Sequence, residues 1–466
     1  MKNAILVALL LSSQAMQTNA ETPLALNRTE VSRAEQAVIW AMPAVNTDLM
    51  RQAAIKAGAG DNQIVYWSRP VDWRNQTLTP NPDAIYLMPF FNTKQGPMVL
   101  EIPPAVRDGS ITGNIDDVWQ MPLEDAGPSG ADKGAGGKYL ILPPSYRGQI
   151  PKGYIVLRSP TYSGYALIRS TLRSHSDADA AEAVAYGKRV KLYALANAAK
   201  PPPTRFVDAN NALFDSTIPY DIRYFQSLDR IVQNEPWLER DKVMIDLLRS
   251  IGIEKGKAFA PDDRRVAALN EGARNAHDWI AYQSERAYEP YFPNTRWVVP
   301  AASALVQDAS KGYTEPDIYP VDARAIVYSM GYVGIKRLGA GQFYLLSWQD
   351  KSGEALDGGQ QYRLTVPRDA PMRQYWSVTA YSRATHALIK DVPGASRSSQ
   401  VPDMEKGPDG SVTVYFGPEA PAGHEKNWVP TKRGEKFELL FRLYGPTQPL
   451  FDKTWVLPDL VKTGAE

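Results

Sequence analysis

Three residues able to move or hold protons fall close together in the run N-P-D-A-I-Y at residues 81–86. The Asp83 carboxylate can act as a general base, and the Tyr86 phenol can donate a proton or hydrogen-bond an oxyanion. Asn81 adds an amide that can orient a polar ligand. Pro80 and Pro82 bracket Asn81, so the same residues also suit an Asx-type turn with a half-buried tyrosine. A second candidate is the glycine-rich stretch 127–138. Its backbone N–H groups could face an anion, with Asp132, Lys133 and Lys138 adding charge. The spacing is not that of a nucleotide phosphate loop, and a strand-like run follows where that motif needs a helix. A tight loop built on glycines is the other reading. In a catalytic scheme Asp83 is the base, Tyr86 the acid, and Lys133 or Arg169 the anion stabiliser. In a binding scheme Asn81, Asp132, Lys138, Arg169, Trp376 and Arg442 contact the ligand.

Arg169, Arg324 and Arg442 sit in or beside strand-like runs. A buried arginine needs a carboxylate partner or an anionic ligand. Asp83, Asp221 and Asp452 are the acids available for such pairing, and the sequence does not choose among them. Tryptophans such as Trp376 can stack on a flat or carbohydrate-like ligand, or anchor a core. The four histidines, His175, His277, His386 and His424, show no metal-ligand spacing. No dinucleotide fingerprint follows a strand and no nucleophile elbow occurs, so neither metal nor organic cofactor is expected.

These residues must be positioned by elements of two textures. Residues 63–173 contain short β-rich runs between Pro and Gly clusters, which predict an antiparallel sheet system. Strand-rich texture returns from Tyr328, with candidates at residues 343–348, 362–366, 375–381, 411–416 and 437–443, spaced as in a sandwich or jelly roll. Helices are predicted near the start, where S-R-A-E at residues 32–35 fits a capping box and Pro43 breaks or kinks the pattern. They are also predicted over residues 178–199, 221–251 and 262–288. Pro201, Pro202 and Pro203 mark a stiff boundary. The expected organisation is an amino-terminal β-rich domain (21–200), a helical connector (201–327) and a carboxy-terminal β-sandwich domain (328–466). The fold class is α+β, mostly β.

Several stretches carry a resemblance to a known family. They include A-V-I-W-A-M-P-A-V-N at residues 37–46, N-P-D-A-I-Y at 81–86, and W-Q-M-P-L-E-D-A-G-P-S-G-A-D-K-G-A-G-G-K-Y-L-I-L-P-P at 119–144. In the second half they are Q-Y-W-S-V-T-A-Y at 374–381, D-G-S-V-T-V-Y-F-G-P at 409–418 and R-L-Y-G-P at 442–446. The chain resembles exported bacterial proteins that pair the domain of unknown function 1254 with the domain of unknown function 1214. The resemblance implies two β-rich domains, the second jelly-roll-like, and brings no settled activity. Ala84 stands where many relatives have Thr, which removes a hydroxyl from the N-P-D segment.

The amino terminus predicts export. Lys2, the apolar run of residues 4–11 and the small residues at 18–20 form a signal-peptide pattern, with cleavage expected after Ala20. The run is too short to span a bilayer, for which ~20 residues are needed, so no membrane anchor is expected. The chain has 52 basic and 51 acidic residues, and losing Lys2 leaves 51 of each. A neutral mature chain is a poor partner for nucleic acid. The expectation is therefore a cysteine-free periplasmic or secreted protein that binds a small organic or carbohydrate-like molecule between its domains. The alternative is a hydrolase or lyase without cofactor. Nothing in the sequence bars a homo-oligomer.

Overall fold

The computed structural model describes residues 21–174, 176–337 and 341–463. The expected signal peptide, residues 1–20, lies outside them, as does His175.

A single helix, Glu21–Lys56, opens the described chain and continues unbroken through Pro43. Proline inside a helix costs about 3 kcal/mol. Here the surrounding turns are fully buried at Ala37, Val38, Ala41, Met42 and Ala44, and that packing outweighs the cost. The Pro43 carbonyl is also occupied, accepting the Gln120 Nε2–H at 2.9 Å and the Thr47 hydroxyl at 3.2 Å. The S-R-A-E run is thus interior and not a helix start. Gly272 of helix Asp263–Ser284 lets that helix close on the long one, since a Cβ there would stand 2.6 Å from the Ala34 Cβ.

Helices Ile222–Asn234, Met244–Ser250 and Val321–Ser329 pack round the same long helix. The stretch expected as a connector is therefore a helical layer with its own core. The helix predicted to run through residues 221–251 breaks at Glu235, which is extended before Pro236 as a pre-proline residue must be. Similarly, residues 178–199 divide into helix Asp177–Gly187 and strand Lys191–Ala194.

The amino-terminal β domain has two main sheets. A six-stranded sheet runs Phe206–Asp208, Gln63–Tyr66, Ala84–Asn92, Ser163–Thr171, Ile111–Asp117, Pro122–Ala126 in spatial order. A four-stranded sheet, Lys191–Ala194, Met98–Ile102, Gly137–Leu142, Ile155–Arg158, covers one of its faces. The edge strand Phe206–Asp208 lies beyond the triple proline, so the boundary expected at residue 200 does not end this sheet.

The carboxy-terminal domain is a sandwich of two four-stranded sheets. One runs Gln342–Ser347, Phe437–Tyr444, Trp376–Ser382, Ser396–Ser398, and the other Trp428–Pro430, Val412–Gly417, Tyr362–Val366, Val461–Lys462. Their facing sides form one apolar core. The fold is α+β, with two β domains and a helical region between them in sequence.

Candidate functional site

Strand alternation builds the site. In the six-stranded sheet Tyr86, Arg169 and Thr112 are cross-strand neighbours on three adjacent strands. Side chains two residues away share their face, which adds Ala84, Met88, Leu167, Thr171 and Asn114. Ile85, Leu87, Ile168, Ile111 and Ile115 point the other way, into apolar cores. The first carboxy-terminal sheet repeats the pattern. Tyr344 opposes Arg442, Gln342 opposes Tyr444 and Leu346 opposes Leu440, while Phe437, Leu439, Phe441 and Leu443 fill the sandwich core. The two faces, each mixing polar and apolar side chains, look toward each other across a cavity of about 440 Å³, lined by both domains. That volume lies within the ~300–1,000 Å³ common for small-ligand sites.

Hydrogen bonds between the domains fix the cavity's shape. The Asn81 side chain donates to the Tyr444 hydroxyl at 2.6 Å, and the Tyr381 hydroxyl donates to the Pro80 carbonyl at 2.6 Å. Arg442 donates to the Thr79 carbonyl at 3.0 Å, and the Gln76 amide to the Leu388 carbonyl at 2.8 Å. Met88, Phe90, Tyr165, Leu346, Tyr381 and Leu440 form an apolar seal across the same boundary.

Five of the residues singled out in the sequence meet at this cavity: Asn81, Asp83, Tyr86, Arg169 and Arg442. The Asx turn is real, since the Asp83 N–H donates to the Asn81 Oδ1 at 3.1 Å. The Asn81 N–H donates to the Tyr86 hydroxyl at 2.9 Å. The Asp83 carboxylate accepts the Ser396 hydroxyl at 3.0 Å and also borders a smaller cavity of about 230 Å³ beside Arg397.

Arg442, only 2% exposed, donates to the Thr379 hydroxyl at 3.0 Å and the Tyr381 hydroxyl at 2.6 Å. Arg169 lies 5.2 Å over the Tyr86 ring, and its Nε is buried without a hydrogen-bond partner. Neither arginine forms an ion pair with a carboxylate among the described residues. The acids considered as partners are engaged elsewhere: Asp221 caps a helix and pairs with Arg223, and Asp452 accepts the Gln448 amide at 2.6 Å. Arg324 lies on a helix, where it donates to the Trp119 carbonyl at 3.0 Å and to the Tyr319 hydroxyl.

The remaining candidates stand outside the cavity. Asp132 turns into its own loop, accepting the Gly127 N–H at 2.6 Å and the Tyr139 hydroxyl at 2.7 Å. Lys133 is exposed at φ +50°. Lys138 is exposed opposite Glu101. Pro128, Ser129 and Gly130 are the loop residues that reach the cavity instead. The glycines serve backbone geometry: Gly127 has φ +97°, and a Cβ there would lie 2.0 Å from the Ile111 carbonyl oxygen. Trp376 is a core residue, stacked on Phe441 at 5.5 Å, because alternation puts it on the inner face of its strand.

Other groups at the cavity were not singled out from sequence. Tyr344, Tyr375 and Tyr444 line it, and period-two reading of F-Y-L-L and R-L-Y would have aligned Tyr344 with Arg442 and Tyr444. Gln120 accepts the Tyr165 hydroxyl at 2.8 Å. Glu438, fully buried, faces His386 and Arg383 at 2.7 Å each. Burial alone would raise the Glu438 pKa, but those two partners hold it below the usual carboxylate value. Burial drives Tyr444 well above the usual phenol value, so it stays neutral. Behind the floor, burial and the neighbouring Asp125 and Asp117 push Asp116 well up. No group of three or more His, Asp and Glu among the described residues could hold a metal ion.

Residues 62–194 match the family described as "Protein of unknown function (DUF1254)", and residues 341–448 match "Protein of unknown function (DUF1214)". No curated protein matches the chain. Among solved structures, the VPA0106 protein from Vibrio parahaemolyticus is similar at 18% identity and TM-score 0.57, covering 93% of this chain and 100% of that one. A putative uncharacterized protein from Burkholderia cenocepacia is similar at 13% identity and TM-score 0.41, covering 96% of this chain and 98% of that one. The first likeness supports the overall fold.

Proposed function

We propose that this chain, which pairs a DUF1254 domain with a DUF1214 domain, binds a small organic or carbohydrate-like molecule in the cavity between them. The observation that carries the reading is the convergence of two sheet faces, one from each domain, on a cavity of about 440 Å³ whose largely apolar wall carries a few polar groups such as Tyr86, Arg169 and Arg442. Polar side chains pointing inward from both sides cost stability unless satisfied, and a ligand that pairs with them offsets that cost. The catalytic alternative loses Lys133, which stands on the outer surface, and keeps Arg169 as its anion stabiliser. Its acid and base are held in the frame of the cavity, the Tyr86 hydroxyl accepting the Asn81 N–H and the Asp83 carboxylate accepting the Ser396 hydroxyl, so binding is the favoured role. The signal-peptide pattern of residues 1–20 supports a periplasmic or secreted location for this binder. No described helix is long and apolar enough to cross a membrane.

A plugged cavity tests the reading. Thr112 is half-buried on the cavity floor, and Thr112→Trp fills space there. A thermal-shift screen against small carboxylates, phenols and sugars should give ligands that stabilise the wild-type protein and do not stabilise the plugged variant. An empty screen, or hits that bind both proteins equally, would overturn the proposal.

A further inference from the structure

Resting on the binding role above, we infer that Arg169 and Arg442 form an anion subsite, and that the ligand is a small organic molecule carrying a carboxylate or a comparable anionic group. The cavity wall carries both carboxylates and arginines. Each acid that lines it has donors of its own. Asp125 accepts the backbone N–H groups of Lys336 at 3.0 Å and Arg337 at 2.6 Å, and the Asn114 amide at 2.9 Å. Glu438 is held by Arg383 and His386. Asp83 accepts Ser396 on the side of the smaller cavity, where Arg397 lies. Arg337, at the rim, is paired with Glu124 at 2.8 Å.

Arg169 and Arg442 have no such balance. Their protein partners are hydroxyls, a carbonyl and aromatic rings: Arg442 lies 5.5 Å from the Tyr344 ring and 5.7 Å from the Tyr381 ring. Guanidinium stays protonated in proteins, whereas a buried phenol stays neutral at ordinary pH, so the tyrosines supply dipoles and no counter-charge. Tyr86 is the cross-strand neighbour of Arg169 and Tyr344 that of Arg442, and with Tyr444 they line one cavity, which places the two guanidiniums around one group of hydroxyls. Asn81 ties that group together by bonding both Tyr86 and Tyr444. A desolvated cation without an anionic partner is costly, and guanidinium geometry suits a carboxylate's two oxygens. The unpartnered Arg169 Nε is the donor left over for it.

Calorimetric titration with matched probes tests the assignment. Benzoate and hexanoate are compared with benzyl alcohol and hexanol on the wild-type protein, Arg169→Gln, Arg442→Gln and Thr112→Trp. In the wild type each anion should bind at least ~10-fold tighter than its alcohol, as expected of sites with a polar group to match. Arg169→Gln should cut anion affinity about 10-fold or more and shift the alcohols far less. Arg442 carries structural bonds, so if Arg442→Gln does not fold, Arg169→Gln decides alone, with Arg169→Lys expected to restore part of the preference. Equal binding of anion and alcohol by the wild type, with both lost in Thr112→Trp, refutes the anion subsite while the cavity reading stands. An anion preference that survives Arg169→Gln also refutes it. No binding of any probe, or full binding by Thr112→Trp, counts against both.

Discussion

Replacing Asp117 by Asn should remove a pH dependence that the fold builds in behind the cavity. Asp117 is fully buried and shapes the turn that presents Gln120, its Oδ1 accepting the Trp119 N–H at 2.8 Å and the Met121 N–H at 2.9 Å. Its Oδ2 has no partner. Burial pushes the carboxyl from 3.8 up to about 6, against the opposing pull of those N–H groups, Arg240 and Arg324. The folded protein therefore holds more protons than the unfolded chain between these two values. Stability from this group is present below the unfolded value and is lost as the pH rises through the folded one. At 1.36 kcal/mol per pKa unit the full effect is about 3 kcal/mol, of which about 2 falls between pH 4 and pH 8. Asn keeps the Oδ1 acceptor but puts an amide without an acceptor where Oδ2 was, a cost of ~1–3 kcal/mol that does not depend on pH. The absolute stability change is thus a poor readout, and its difference between the two pH values isolates the charge. Urea unfolding of both proteins across this range should show Asp117→Asn gaining about 2 kcal/mol relative to wild type as the pH rises. A relative stability that stays flat, or falls, would refute the reasoning.

Two further outcomes separate packing from binding. Trp376→Ala should lose ~3–5 kcal/mol in urea unfolding, as for a large aromatic removed from a core. It should leave the affinity for cavity ligands unchanged, because Trp376 faces Phe441 and not the cavity. Glu438→Gln should cost ~3–5 kcal/mol near neutral pH, since it leaves Arg383 and His386 beside a buried neutral group. Because the Glu438 carboxyl is held below its usual value, this loss should shrink as the pH falls through the folded-state pKa, and acid unfolding curves check that sign.

The sequence by itself determined the local elements and their faces. Tyr362–Val366 has the bounds its alternation implies, Phe437–Tyr444 ends one residue later, and Gln342–Ser347, Trp376–Ser382 and Val412–Gly417 are each displaced by one residue, while the short strands Ser396–Ser398, Trp428–Pro430 and Val461–Lys462 had no such signal. The helix expected over residues 262–288 forms as Asp263–Ser284, with Asp262 accepting the Arg265 N–H at 2.8 Å as its cap. These are short-range properties, fixed by turn residues, caps and the two-residue period. The pairing of residues hundreds of positions apart was decided by tertiary structure. Asn81 meets Tyr444, and Thr79 meets Arg442, because two sheets from different domains turn one face each toward the other. The same assembly carried a helix through Pro43, since buried neighbours offset the lost hydrogen bond. It also sorted candidates that look alike in sequence. Arg169 and Arg442 fall on strand faces turned to the cavity, while Trp376 falls on a face turned to the core. Lys133, beside a loop stretch that does reach the cavity, is exposed to solvent at a positive φ. Residue type set what each side chain could do, and the side of the sheet it landed on set whether it meets a ligand.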